Sequence, residues 1–219
     1  MTMLTLLSGA LAGLIHVLSG PDHLTAVAPL AISDGRRGWL SGWTWGLGHA
    51  TGVVTIAVLA VLLRDWLPPV DVLSRWSERI VGGALVGVGL WALRRGLHVV
   101  PTDHAHGPVS HGHLHVATGP VWLRRLGHAH ASFYLGILHG VAGSSHFFGV
   151  LPALALPTRV ASLTYIAAFG AGTLVAMTSF AAAVGLVGHR YGVAALPRRA
   201  LMLSSAVAAL LVGGFWLLA

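Results

Sequence analysis

Two short histidine motifs lie inside strongly apolar stretches of the chain. The first, HVLSGPDH, places His16, Asp22 and His23 within a stretch that otherwise has the composition of a membrane-spanning helix. The second, HGVAGSSH, places His139 and His146 in a similar setting. Imidazole nitrogens, joined here by a carboxylate, suit borderline divalent ions such as nickel, cobalt and zinc. These residues therefore predict a metal site inside the membrane.

The first motif also interrupts its own helix. The two histidines of each motif are seven residues apart, which is nearly two helical turns, so they face the same way if the backbone stays roughly helical. Gly20 and Pro21 loosen that geometry and free backbone carbonyls, which lipid cannot satisfy. A helix break of this kind is tolerated where it lines a protein-buried or wet cavity, so we expect such a cavity beside Gly20 and Pro21.

Asp22 is the acidic residue best placed to act in that cavity. The chain has six acidic residues, and the other five fall in connections or at span ends. An ionisable group inside a span is costly and marks a functional site by default. Two alternatives stay open: the histidines are hydrogen-bond partners between helices with Pro21 a plain kink, or the groups form a proton relay without metal. His49, mid-span in GLGHATG among small residues, is a further candidate as a ligand or as a support for the ligands.

The elements that must position these residues are membrane helices. Hydrophobic residues make up 55% of the 219 residues and charged residues only 9%, whereas a soluble domain carries about 25% charged residues. We predict an all-α polytopic membrane protein with six spans, at about 3–32, 39–63, 78–98, 132–156, 160–188 and 200–218. The first stretch is too long for a straight crossing, so it is tilted or consists of two short helices that meet at SGPD.

An internal repeat relates the two motifs. A shift of 123 residues aligns GLIHVLSGPDHLTAVAPLA with GILHGVAGSSHFFGVLPAL. Identical pairs include Gly13 with Gly136, His16 with His139, Gly20 with Gly143, His23 with His146 and Pro29 with Pro152. Each half holds three predicted spans, an odd number, so the second copy enters the membrane from the opposite side, as in many secondary transporters. We expect a first repeat at 1–100, a histidine-rich loop at 101–131 and a second repeat at 132–219, with helices 1 and 4 broken.

The basic residues predict the orientation. All 13 are arginines, and nine of them fall in the connections between spans 1 and 2, 3 and 4, and 5 and 6. The positive-inside rule then places both termini outside a plasma (inner) membrane and the histidine-rich loop in the cytoplasm. Because the arginines lie at span ends, the formal charge of +7 does not indicate a nucleic-acid partner. The absence of cysteine excludes disulfides and thiolate metal sites.

The histidine-rich loop is a second place where metal could bind. Residues 98–130 hold eight of the 14 histidines, many at a spacing of two. We predict an accessory loop that buffers or senses metal; the alternative is a soluble low-complexity linker. The candidate ligands are His104, His106, His111, His113 and His115.

The two aligned motifs resemble the nickel/cobalt transporter (NiCoT/NicO) superfamily, especially its short six-span members of the UreH type. The resemblance covers both halves of the chain. It implies a divalent transition-metal transporter with His16, Asp22 and His23 in the signature helix, and with His139 and His146 in the second motif. Larger permeases of that superfamily separate the first His from Asp-His by four residues, whereas five separate them here.

We therefore expect a secondary transporter of nickel or cobalt, with zinc or manganese also open, that works by alternating access and holds no prosthetic group. The alternative is a membrane accessory protein that donates metal for nickel-enzyme (urease) maturation without transport. An enzyme is disfavoured, because the only glutamate, Glu78, lies outside both motifs and no H-E-x-x-H pattern occurs. The expected partners are the metal ion and the lipid bilayer; a homo-oligomer and a cytoplasmic metallochaperone stay open.

Overall fold

The apolar stretches fold as helices that pack side by side. The structure is a computed structural model, and it describes residues 2–62, 70–97, 99–106, 109–116, 128–142, 145–190 and 195–218. The first half contributes α1 (Thr2–Ser19), α2 (Pro21–Asp34), α3 (Gly38–Leu62) and α4 (Val70–Leu97), with a single 3-10 turn at Gly35–Arg37 between α2 and α3. The second half contributes α5 (His128–Ala142), α6 (Ser145–Ala155), α7 (Arg159–Arg190) and α8 (Ala195–Leu218).

The first predicted span is broken at the predicted place. Gly20 separates α1 from α2, and Pro21 is the first residue of α2, where a missing backbone N–H costs nothing. The axis bends by 73° between Met3–Ser19 and the helical run Pro21–Leu59. The span is therefore two short helices that meet at a corner rather than one tilted helix.

Among the described helices, three are long and apolar enough to cross a membrane, and a fourth crossing results if the bent pair counts as one span. The three are Glu78–Leu97, Arg159–Arg190 and Arg199–Leu218. By contrast, α1, α2, α5 and α6 have 18, 14, 15 and 11 residues, each below the roughly 20 that a straight crossing requires. The chain is a membrane protein by this character, and the number of six spans stays a prediction.

The outer surface of the bundle is apolar, and one of its buried clusters lies around the first break. Large apolar side chains such as Leu11, Leu211 and Phe215 are exposed, as expected for a surface that faces lipid rather than water. Inside, Val17 and Val27 flank the break and belong to one buried cluster with residues of α3 and α7. The corner between α1 and α2 is therefore packed against α3 and α7.

Glycines set the directions of the packed helices. The most extensive helix contacts are those of α1 with α7, α3 with α5, α3 with α7 and α4 with α8. Contacts of successive glycines show that α1 runs parallel to α7 and α3 parallel to α5, whereas α3 and α7 are antiparallel. It follows that α1 and α5, which carry the two motifs, run in opposite directions. The contacts are Gly9 with Tyr165, Gly13 with Phe169, Gly48 with Phe133, Gly52 with Ile137, Gly42 with Ala181 and Gly46 with Leu174.

Two close contacts between a glycine and a neighbouring helix give a stability prediction. A Cβ at Gly48 would overlap the carbonyl oxygen of Phe133, and one at Gly172 would overlap that of Ala10. We expect Gly48→Ala and Gly172→Ala each to destabilise the protein. Overpacking costs about 1–3 kcal/mol, whereas alanine gains only roughly 1 kcal/mol in helix propensity over glycine. Thermal unfolding in detergent measures this. The control is Gly87→Ala, whose Cβ would meet nothing within 4 Å, and equal melting temperatures for all three variants would contradict the prediction.

The membrane part is helical as predicted, and part of the histidine-rich segment has regular structure of its own. Its backbone forms an antiparallel hairpin of β1 (Val99–His106) and β2 (Val109–Val116). The physical reason is the alternation in VSHGHLHV, which is the two-residue period of a strand. Residues 107–108 and 117–127 lie outside the described residues.

Candidate metal centre

The break between α1 and α2 brings the first motif together. Gly20 adopts an extended conformation at the start of α2, and its carbonyl accepts the backbone N–H of His23 at 3.1 Å. A Cβ at Gly20 would lie 2.8 Å from Asp22 Oδ1 and 3.1 Å from the carbonyl oxygen of His16. Only glycine therefore leaves room for the three functional residues to converge at this corner.

Asp22 joins the two motifs through its buried carboxylate. Oδ1 lies 3.0 Å from His23 Nδ1, and Oδ2 lies 3.1 Å from His139 Nε2 on α5. An ionised carboxylate only accepts hydrogen bonds, so both imidazole rings donate an N–H to it when they are neutral. The other nitrogen of each ring then carries the lone pair that can coordinate a metal. Asp22 also lies in the first turn of α2, where the helix dipole favours negative charge.

His23 is the centre of a cluster of four imidazoles. Its ring centroid lies 4.5 Å from that of His16, 4.9 Å from that of His49 and 4.7 Å from that of His139. The rings of His49 and His139 are 5.4 Å apart. His23 and His49 are completely buried and His139 almost so. The sequence left the role of His49 open, and the fold places it inside the cluster.

Two groups of three side chains could hold a metal ion. One is His16, His23 and His49, and the other is Asp22, His23 and His139; within each group the ligand atoms lie within 4.8 Å of one another. Two ligands that share one ion at bond lengths of about 2.1 Å are at most about 4.2 Å apart, so both groups are at or near coordination distance. Both groups contain His23. The donor set of imidazoles with one carboxylate suits a borderline divalent ion.

Small residues on α5 bring His49 and His139 together. A Cβ at Gly140 would lie 3.1 Å from the Cα of His49, and one at Gly136 would lie 3.0 Å from its backbone nitrogen. The backbones of α3 and α5 can touch only because both positions are glycine, as in other close helix contacts in membranes. This contact places His139 of the second motif beside the residues of the first motif.

Comparison with known proteins supplies the family. The chain is 36% identical over 181 residues to Chloroplast protein FOR GROWTH AND FERTILITY 1 of Arabidopsis thaliana, and 34% identical over 184 residues to Chloroplast protein FOR GROWTH AND FERTILITY 2 of the same plant. Each match covers 81% of this chain but only 48% and 46% of those proteins. The chain thus spans about half the length of these curated relatives.

A bacterial relative is matched over most of its length. Urease accessory protein UreH of Bacillus sp. (strain TB-90) is 31% identical over 192 residues, which cover 85% of this chain and 77% of that protein. The chain belongs to the UreH family. No family model matches the chain, and no solved structure matches it. None of the three matched relatives of this UreH-family chain is named as an enzyme.

Two aromatic residues beside the cluster were not anticipated from the sequence of this UreH-family chain. The ring of Trp45 lies 6.1 Å from that of His139, and the ring of Phe169 lies 5.4 Å from that of His16. Both aromatic side chains are fully buried and restrict the space around the histidines. A signal was present: Trp45 and Phe169 directly precede GLGHATG and GAGTLVA, the segments that correspond at a shift of 124 residues.

The structure can be compared with each of the site residues predicted from the sequence. Five of the six residues predicted for the intramembrane site are brought together, namely His16, Asp22, His23, His49 and His139. His146 lies in the first turn of α6, and its side chain is outside the described part of the structure. The loop histidines lie in β1 and β2, where the structure describes the backbone.

Proposed function

We propose that this UreH-family chain transports a divalent transition-metal ion, nickel or cobalt, by alternating access around the intramembrane His/Asp cluster. The observation that carries the proposal is the buried cluster of four imidazoles and one carboxylate at a helix break. Burying such a cluster inside an apolar bundle costs free energy, and ionisable groups in this setting indicate a functional site. His146, in the first turn of α6, is proposed as a further ligand.

The donor set supports nickel or cobalt as cargo. Imidazole suits nickel, cobalt, zinc and copper, whereas manganese prefers oxygen ligands, of which Asp22 is the one within the two ligand groups. The relative named as a urease accessory protein favours nickel, the metal of urease. Four neutral imidazoles and one carboxylate leave a divalent ion with a net positive charge in the cavity. That residual charge favours release, which a transporter needs.

The packing of the helices supports an inverted repeat. Gly13 of α1 meets the backbone of α7 at Phe169 and Thr173, and Gly136 of α5 meets the backbone of α3 at Trp45 and His49. Gly13 corresponds to Gly136 at a shift of 123 residues, and the residues that they meet correspond at a shift of 124. The opposite directions of α1 and α5 agree with a second copy that enters from the other side. We propose the repeats at 1–100 and 132–219, joined by the loop at 101–131.

A shared ligand gives the ion a path through the site. An ion held by His16, His23 and His49 can pass to Asp22, His23 and His139 while His23 stays bound, so that ligands exchange one at a time. Two inverted halves that rock about the cluster would open one ligand group, then the other, to opposite sides of the membrane. We propose the plasma membrane, with both termini outside, from the arginine distribution; the Arabidopsis relatives are named as chloroplast proteins.

Flux into liposomes tests the proposal. We expect purified protein in liposomes to carry radioactive nickel down a concentration gradient, and we expect His16→Ala and His146→Ala to lose that flux while still inserting. His189→Ala is the matched control, since His189 is an exposed histidine at the end of α7. Equal flux in the wild type, in both variants and in protein-free liposomes would overturn the transport proposal.

The second candidate is a membrane metal donor, which the name of the bacterial relative favours. A donor would bind nickel in the same liposomes without moving it across the bilayer. Deleting residues 103–115 separates the two functions. A transporter should keep most of its flux after the deletion, whereas a donor that acts through the loop should lose metal delivery to its acceptor.

A further inference from the structure

The register of the hairpin places all five of its histidines on one face. Residues directly opposite each other in an antiparallel pair share a face, and neighbours along a strand alternate between faces. His104 is opposite His111, His106 opposite Val109, and His113 opposite Thr102. The histidine-bearing face comprises positions 100, 102, 104 and 106 of β1 and 109, 111, 113 and 115 of β2. The opposite face comprises Val99, Pro101, Asp103, Ala105, Ser110, Gly112, Leu114 and Val116, with no histidine.

This arrangement depends on the register and not on the histidine spacing alone. A spacing of two puts the histidines of each strand on one face, whatever the pairing. Whether the two runs share that face depends on the register, because a slip of one residue turns a whole strand over. The observed pairing brings the two runs to the same face and sets His104 directly across from His111.

We propose that this histidine face is a second metal-binding site, separate from the intramembrane cluster and selective for a borderline divalent cation such as nickel or zinc. The cross-strand pair His104 and His111 is its centre, because directly opposite residues have Cβ atoms about 4.5–5.5 Å apart. His106 and His113 occupy the diagonal positions, about 7–8 Å away, and complete a set of nitrogen ligands. Three or four imidazoles are a sufficient ligand set for either ion.

Metal binding and strand pairing are coupled in this site. A two-stranded hairpin on its own is marginally stable in water. An ion held by both strands binds the paired form and not the open one, so it stabilises the hairpin. The proposal does not rest on the transport function, since a hairpin can hold metal on a protein that moves no ion.

Two swaps of equal composition test the histidine face. In the first, His104→Ala with Ala105→His moves one histidine to the opposite face. In the second, His104→Thr with Thr102→His moves it along the same face to the position across from His113. The measurement is calorimetric titration of the full-length protein in detergent with Ni²⁺ and with Zn²⁺, and helical circular dichroism confirms the fold of each variant.

We expect the first swap to weaken the hairpin site by more than about 10-fold, because losing a residue that only supports a ligand already costs about 10-fold to 100-fold, and we expect the second swap to retain the site. Equal affinity in the wild type and the first swap would overturn the proposal, because metal binding would then follow the number of histidines rather than their face. His23→Ala separates the two sites. It removes a shared ligand of the membrane cluster and should leave the hairpin site intact, so failure of the hairpin proposal is distinct from failure of the transport proposal.

Discussion

Replacing His23 by alanine is expected to remove nickel binding at the intramembrane cluster, with a loss of affinity greater than about 100-fold. Losing a residue that only supports a ligand already costs about 10-fold to 100-fold. His23 belongs to both ligand groups, so its loss leaves His16 and His49 in one group and Asp22 and His139 in the other. Two ligands in either group are too few to hold a borderline divalent ion tightly.

The measurement is calorimetry on protein that lacks residues 103–115, so that the five hairpin histidines do not contribute to the titration. His189→Ala serves as the control, because it removes one exposed histidine from a helix end and leaves the cluster intact. Retained nickel affinity in His23→Ala would show that the two groups do not share a ligand. Retained affinity after His16→Ala as well would return the buried histidines to a packing or proton-transfer role.

The local half of the site was predictable from the sequence. The pair Gly20-Pro21 between two histidines and an aspartate indicates a helix break, and the break in the structure lies at Gly20. Residues on either side of one break are close whatever the rest of the fold does. For that reason His16, Asp22 and His23 could be placed together without knowledge of helix packing.

The other half of the site depends on contacts between distant helices. His139 reaches Asp22 because α5 lies against α3 over Gly136 and Gly140, and this contact has no local signature beyond the glycines themselves. The sequence alignment that predicts a repeat pairs the two motifs but says nothing of their separation in space. The repeat mate of His49 is Thr173, so the alignment could not decide whether His49 belongs to the site.

The hairpin shows how one pattern allows two interpretations. Histidines at a spacing of two predict an accessory metal-binding loop, yet the same spacing is the period of a β-strand. Both interpretations describe the segment VSHGHLHV, and the backbone pairing adds the strand interpretation. The register, which brings the two histidine runs to one face, is set by how the strands pair and could not be read from either run alone.

Asp22→Asn is expected to lower nickel affinity at the intramembrane cluster by about a thousandfold. At about 4 Å and the effective dielectric constant of protein sites, one unit charge contributes about 4 kcal/mol to a pair of unit charges, which corresponds to that factor. Asp22 belongs to one of the two ligand groups, and neither group contains another acidic residue that could compensate for the loss of its charge. Calorimetry on protein lacking residues 103–115 measures the loss.

The amide also disturbs the two rings that Asp22 holds. A carboxylate accepts an N–H from both His23 and His139, whereas an amide offers one oxygen and one NH₂ group. The ring that faces the NH₂ group must accept there, so its own proton moves to the nitrogen that would coordinate the ion. The control is Asp34→Asn at the far end of α2, which removes the same charge but keeps an acceptor for the Ser41 hydroxyl. Because that control isolates position from charge, equal losses in the two variants would mean that Asp22 acts through the overall charge of the protein rather than at the metal site.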